Sequence, residues 1–91
     1  MTMATVAVKL PVGMLTADGR REIECEATTV LEALDRAILA EPRLRPRVYR
    51  EDGRIWPGVF LNNRNVKALD GFETELSDGD KLTVVPPISG G

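Results

Sequence analysis

The sequence predicts an α+β fold, in which one main helix lies across one face of a mixed sheet of four or five strands. Two segments near the N-terminus alternate apolar and polar residues, a capped amphipathic helix follows, and another alternating segment lies near the C-terminus. One helix packed on one sheet buries the apolar faces of both. The chain has 91 residues, of which 43% are hydrophobic. We therefore expect one domain over residues 1–86 and a flexible tail over residues 87–91.

The first two predicted strands form a hairpin. Residues 4–10 and 21–26 each alternate apolar with polar residues, which is typical of strands with one buried face. Asp18-Gly19 between them is a turn dipeptide of the kind that closes hairpins. The residues expected on the buried face are Val6, Val8, Leu10, Ile23 and Cys25.

A helix is predicted to follow this hairpin. Thr29 and Glu32 have the spacing of a capping box, in which the two side chains satisfy backbone N–H groups at the helix start. Pro42 cannot continue a helix, so the helix should end near residue 40 or 41. Its expected apolar residues are Leu31, Leu34 and Ile38, with Val30 and Ala37 beside them.

The second half of the sequence predicts short strands separated by turns. Residues 41–58 are rich in Arg, Pro and Gly and are predicted to form mainly a loop. Residues 59–63 form a short strand that runs into a polar turn, and residues 66–69 form a brief edge strand. Gly79 supplies a position that tolerates a positive φ before the last strand at residues 81–85. Proline has no N–H for a sheet, so this strand should stop at Pro86-Pro87.

The composition argues against several classes of function. The net charge is −2 and Lys and Arg are dispersed, so no nucleic-acid-binding surface is indicated. No apolar run approaches the ~20 residues that span a bilayer, and no signal peptide is apparent, so we expect a cytoplasmic protein. The five arginines between residues 43 and 54 are interpreted as a solvated loop. With no histidine in the chain, we expect neither a catalytic site nor a metal site.

The single cysteine is predicted to be structural. Cys25 alternates in register with Ile23, and a buried thiol behaves as a small hydrophobic group. A nucleophilic cysteine would need a cationic neighbour at an exposed position. One cysteine also forms no internal disulfide, which agrees with a reducing compartment.

The C-terminus is the one place where the sequence suggests chemistry. Residues 84–91 lead from a strand into Ile88, Ser89, Gly90 and Gly91. Glycine has no Cβ, so the backbone can thread a narrow channel in a partner enzyme and present a carboxylate there. Transfer of AMP from ATP to that carboxylate would give an acyl-adenylate that a sulfur nucleophile can attack. A frayed, idle tail is the alternative.

Three motifs together resemble the MoaD/ThiS family of ubiquitin-like sulfur carriers. They are the capped helix start Thr29-Val-Leu-Glu-Ala-Leu34, the segment Val59-Phe-Leu-Asn-Asn63 with Val66, and above all the stretch from Leu76 to the terminal Gly90-Gly91. The resemblance covers nearly the whole chain and implies a β-grasp, ubiquitin-like fold. The long segment at residues 41–58 makes the chain more similar to the longer carriers used in cysteine or sulfur-metabolite synthesis.

The resemblance also implies a mechanism and partners. A ubiquitin-activating-type enzyme would adenylate Gly91 with its own ATP, and the product would be converted to a thiocarboxylate. A biosynthetic acceptor of the cysteine, thio-metabolite or molybdopterin type would then take the sulfur. The protein is thus expected to be a co-substrate of two enzymes and to bind no cofactor itself. Two alternatives stay open: a ubiquitin-like modifier that forms amides with lysines, and a plain interaction module.

A docking surface is predicted next to the tail. Alternation places Val59 and Leu61 inside and Phe60 outside, and it places Val85 outside on the last strand. In the β-grasp strand order these two strands are neighbours. Phe60 and Val85 would then form an exposed apolar patch that both partner enzymes contact in turn.

Overall fold

Five strands form one mixed sheet, and one long helix packs on one of its faces. The computed structural model describes residues 3–10, 15–16, 18–55 and 58–85. The strands lie in the order β2-β1-β5-β3-β4, with β1 and β5 parallel and all other neighbours antiparallel. This confirms the predicted α+β class. The elements are β1 (Ala4–Lys9), β2 (Glu22–Ala27), α1 (Val30–Ala40), α2 (Arg45–Val48), β3 (Val59–Leu61), β4 (Arg64–Asn65) and β5 (Lys81–Val84), with 3-10 helices at Pro42–Leu44, Val66–Ala68 and Gly71–Glu73.

The predicted opening hairpin is present. β1 and β2 pair over their whole length, with Val6 opposite Cys25 and Val8 opposite Ile23. The turn between them contains Gly19 at φ +83°, a conformation that favours glycine. Within the described residues the Leu10 N–H donates to the Arg21 carbonyl at 2.8 Å, which extends the ladder by one residue pair.

The capped helix begins and ends as the sequence predicts. The Thr29 hydroxyl accepts a hydrogen bond from the Glu32 N–H at 3.3 Å. The Glu32 carboxylate accepts from the Thr28 N–H at 2.7 Å, one residue earlier than an ideal capping box. The helix ends at Ala40, and Pro42 opens the following 3-10 helix.

The core lies between α1 and the inner face of the sheet. Val6, Val8, Leu34 and Leu82 are all fully buried there, as expected from the alternation of β1 and β5 and the helical spacing. Leu31 was predicted on the same helix face, but its side chain is 37% exposed. The buried helix face instead consists of Val30, Ala33, Leu34, Ala37 and Ile38, so small residues at two positions let α1 approach the sheet closely.

Residues 41–58 are more structured than predicted. A 3-10 helix and the short helix α2 occupy residues 42–48, and they bury the side chains of Leu44 and Val48 completely. The Tyr49 hydroxyl then contacts the Asp35 carboxylate on α1, and Arg45 lies over the Tyr49 ring at 5.2 Å from its centroid. The loop prediction was wrong for residues 42–48, because Leu44 and Val48 are buried there and Tyr49 contacts α1 directly after them.

The edge strand predicted at residues 66–69 lies instead at Arg64–Asn65. Asn62 and Asn63 both have positive φ and form a tight turn, so β4 pairs with β3 immediately afterwards at Arg64–Asn65. Residues 66–68 form a 3-10 helix. The Asn65 side chain caps its start by accepting a hydrogen bond from the Lys67 N–H at 2.9 Å. Val66 is buried, but it belongs to that helix and not to a strand.

In the part of the chain that the structure describes, no helix has the length and hydropathy needed to cross a bilayer.

Candidate functional site

The C-terminal end of β5 is fixed to β3 where the chain leaves the sheet. Val59 lies opposite Val84 in the antiparallel ladder. One residue further, the Val85 N–H donates to the Gly58 carbonyl at 2.7 Å. This hydrogen bond fixes the backbone of Val85 against the residue that precedes β3.

Gly58 can carry no side chain at this position. A Cβ built on Gly58 would lie 2.2 Å from the Val85 carbonyl oxygen, which no real contact allows. The absence of a Cβ is therefore what lets the two backbones pair up to the point where β5 ends. Sequence reasoning missed this residue, although a glycine directly before a strand is a signal of close backbone approach.

The other end of β5 is held by an asparagine–aspartate pair. The Asn62 side chain accepts from the Lys81 N–H at 3.0 Å and donates to Asp80 Oδ1 at 2.9 Å. The second oxygen of Asp80 accepts from the Ser77 N–H at 2.7 Å. Gly79 between them has φ +87°, as the Asp78-Gly79 turn predicted. β5 is consequently fixed at both ends, and its direction toward the tail is set.

The two predicted docking residues lie on the sheet face that points away from α1. Phe60 pairs with Thr83, and the buried residues on either side of each belong to the core. Val85 is 44% exposed, whereas Phe60 is only partly exposed. The patch is therefore smaller than the sequence suggested, with Val85 as its more accessible member, and its role in docking stays a prediction.

Ile88, Ser89, Gly90 and Gly91 lie outside the described residues, as does the tail that the sequence predicts to be flexible. Their proposed roles stay predictions.

Cys25 lies at the margin of the core. Its side chain is half-buried and packs against the core cluster, with Sγ 3.8 Å from the Ala33 carbonyl oxygen. Burial raises the pKa of the Cys25 thiol, although the nearby Arg36 charge opposes that shift. A raised pKa keeps the thiol protonated and therefore poorly nucleophilic. Among the described residues, no group of Cys, Asp and Glu side chains is arranged to hold a metal ion.

Comparison with known proteins gives a consistent set of similarities. A family model described as the ThiS family matches residues 8–91. The chain is 31% identical over 88 residues to an Archaeoglobus fulgidus protein named "Putative sulfur carrier protein", and the match covers 94% of this chain and 98% of that relative.

Two solved structures are similar over nearly the whole chain. The solution structure of small archaeal modifier protein 1 from Methanosarcina acetivorans has a TM-score of 0.83 and 27% identity, with complete coverage of both chains. A chain from the crystal structure of the Amycolatopsis orientalis BexX/CysO complex has a TM-score of 0.77 and 29% identity, over 94% of this chain and 99% of that chain.

Proposed function

Because this chain belongs to the ThiS family of ubiquitin-like β-grasp sulfur carriers and modifiers, we propose that it carries sulfur as a thiocarboxylate on Gly91. The family match supports this most directly, because it extends over the terminal Gly90-Gly91 as well as the folded domain. The protein is then a substrate of other enzymes, and its only reacting group is the Gly91 carboxylate.

The chemistry requires two displacement steps. The Gly91 carboxylate oxygen attacks the α-phosphorus of ATP in the activating enzyme, pyrophosphate leaves, and an acyl-adenylate forms. Sulfide (HS⁻) then attacks the Gly91 carbonyl carbon, the bond to AMP breaks, and the thiocarboxylate results. ATP belongs to the activating enzyme in this scheme, so the carrier needs no bound cofactor.

The geometry of β5 supports this role. Val85 is anchored by Gly58, and six residues follow it in the sequence up to Gly91. Six extended residues span at most roughly 20 Å. Gly91 could therefore reach an active site that lies this far inside a partner enzyme while the partner contacts the sheet around Val85. Gly90 and Gly91 give the terminus the smallest possible cross-section.

We propose two protein partners. One is a ubiquitin-activating-type adenylating enzyme, and the other is a biosynthetic enzyme that accepts the sulfur. The similarity to a chain from the BexX/CysO complex supports a partner enzyme of this general kind. Phe60, Val85 and the tail residues Ile88 and Ser89 are the proposed contacts. We expect the reactions to take place in the cytoplasm, as the single cysteine suggests.

A ubiquitin-like modifier is the second candidate, and the similarity to small archaeal modifier protein 1 favours it. A modifier requires the same activated Gly91, but a lysine amine displaces the AMP in place of sulfur. Intact mass spectrometry separates the two functions after incubation with an activating enzyme, ATP and a sulfide source. A thiocarboxylate adds about 16 Da, because sulfur replaces oxygen, whereas conjugation adds the mass of a whole protein.

A further inference from the structure

One edge of the sheet has an open row of backbone hydrogen-bonding groups. Among the strands that the structure describes, β2 is outermost and pairs only with β1. The bond from Leu10 N–H to the Arg21 carbonyl fixes which residue pairs share hydrogen bonds in this ladder. Because such pairs alternate in an antiparallel ladder, Ile23, Cys25 and Ala27 bond to β1. The peptide groups of Glu22, Glu24 and Glu26 point to the opposite side.

In the part of the chain that the structure describes, these outward groups have no hydrogen-bond partner over the length of β2. The first covered position is Thr28, whose carbonyl accepts from the Leu76 N–H at 2.9 Å. An exposed edge of this kind is a template for the addition of another strand.

The side chains along this edge define which strand would fit. Glu24 and Glu26 lie on the outer face of β2, opposite the uncharged Ala7 and Thr5 of β1. Glu22 differs, because it lies opposite Lys9 and its carboxylate is 3.6 Å from the Lys81 ammonium. Glu24 and Glu26 therefore have no basic residue directly opposite them on β1, and a strand on the open side could supply one.

The shape beside the edge leaves room for such a strand. An open groove of about 340 Å³ runs along the first half of β2, between Arg20 near the hairpin turn and Ala40 at the end of α1. On the helix side of the strand, Cys25 is only half-buried at this margin, so an added strand would cover it.

We propose that the β2 edge binds an extended segment of a protein partner by strand addition, with Lys or Arg side chains of that segment opposite Glu24 and Glu26. A second copy of this chain does not fit. Any pairing of two β2 strands that keeps their outer faces together sets glutamate against glutamate, and directly opposed like charges destabilise a sheet. The acidic edge therefore disfavours pairing with a second copy of itself and favours pairing with a basic strand. This surface is separate from the Gly91 chemistry and does not depend on it.

The test uses the full chain and a synthetic peptide of alternating lysine and valine, long enough to span the ~20 Å edge of six residues. Backbone NMR titration and amide hydrogen exchange report binding residue by residue. We expect shifts along β2 and slower exchange at the amides of Glu22, Glu24 and Glu26. A peptide of the same sequence, N-methylated at the groups that face β2, retains the charge but not the hydrogen bonds, and should fail to bind.

A matched pair of variants separates this edge from general electrostatics. Glu24→Gln with Glu26→Gln should weaken peptide binding about fivefold, from the loss of two cross-strand charge pairs. Glu51→Gln with Glu73→Gln makes the same change in net charge at exposed sites elsewhere and should leave binding unchanged. Equal binding of the N-methylated peptide, equal binding of a glutamate–valine peptide, or shifts centred on Phe60 would overturn the proposal. So would protection of the β2 amides by dimerisation without peptide.

Discussion

Because Gly58 has no side chain, the backbone at the end of β5 can pair with it. Gly58→Ala would force a methyl group into the space of the Val85 carbonyl, 2.2 Å away, and that contact is backbone and cannot rotate aside. We expect a loss of about 1–3 kcal/mol in the free energy of unfolding, as for other overpacked sites. Amide exchange at Val85 should also accelerate, because its bond to Gly58 is broken. Thr83→Ala, on the same face, is the control and should leave Val85 protected. Unchanged stability and Val85 exchange in Gly58→Ala would contradict this interpretation.

Cys25 should contribute to packing and not to sulfur transfer. Its thiol is half-buried and its pKa is raised by that burial, so it is a poor nucleophile. Cys25→Ala should cost about 1 kcal/mol of stability from lost packing. Sulfur loading of Gly91, followed by intact mass, should survive the substitution. A folded Cys25→Ala protein that no longer accepts sulfur would show that the thiol takes part in the transfer.

Tyr49 should make the stability of the protein fall at alkaline pH. Burial, and then the hydrogen bond to Asp35, raise the pKa of Tyr49 to about 12 from an ordinary value of 10.0. The folded state therefore favours the protonated phenol, and its stabilising contribution is complete below pH 10 and lost as the pH rises toward 12. Since Tyr49 is the only tyrosine, tyrosinate absorbance measures its pKa directly. Tyr49→Phe should lack this component of the decline. A midpoint near 10 would contradict the proposed contact.

Among the helices, strands and turns, the sequence predicted the ones whose ends are determined by individual residues. α1 has a capping threonine at one end and Pro42 beyond the other, so both bounds could be read from single residues. The turn before β5 was predicted from Asp78-Gly79 in the same way. α2 could not be predicted, because a helix of four residues has no periodicity. It exists because Leu44 and Val48 are buried against the rest of the fold.

The candidate site was predictable to a similar extent. Alternation assigned the inward and outward residues of β3 and β5 correctly, because a period of two follows from strand geometry alone. It gave no information on how far Phe60 is covered, since that depends on neighbouring elements. The contact between Gly58 and Val85 joins residues 27 positions apart and follows only from the strand order.

For the whole molecule, we expect partners to dock on the face around Val85. Val85→Asp places a charge on the more exposed of the two patch residues and should weaken association with both the activating and the acceptor enzyme by about 2 kcal/mol, within the range of interface hot spots. Phe60→Asp should do the same, with some loss of stability because that side chain is partly buried. Lys67→Gln, on the exposed 3-10 helix, makes the same change of net charge as Val85→Asp and is the control. Calorimetric affinities equal to wild type in Val85→Asp would refute the docking surface.

The two proposed surfaces lie on different parts of the sheet. Strand β1 separates the β2 edge from β5, and β3 lies beyond β5 on the far side. A partner strand on β2 would therefore leave the face around Val85 accessible. Binding of the lysine–valine peptide should not change the rate at which Gly91 is adenylated, which pyrophosphate release measures. Competition between the peptide and the activating enzyme would contradict this arrangement.

Intact mass spectrometry of the loaded protein shows whether Gly91 carries sulfur. The protein is incubated with ATP, a sulfide source and an activating enzyme, in parallel with a chain lacking Gly91 and a chain extended by one residue beyond it. We expect a gain of about 16 Da for the chain ending at Gly91 and no gain for either altered chain, because only the Gly91 carboxylate is converted to a thiocarboxylate. The same gain in the extended chain, with no trimming protease present, would contradict it.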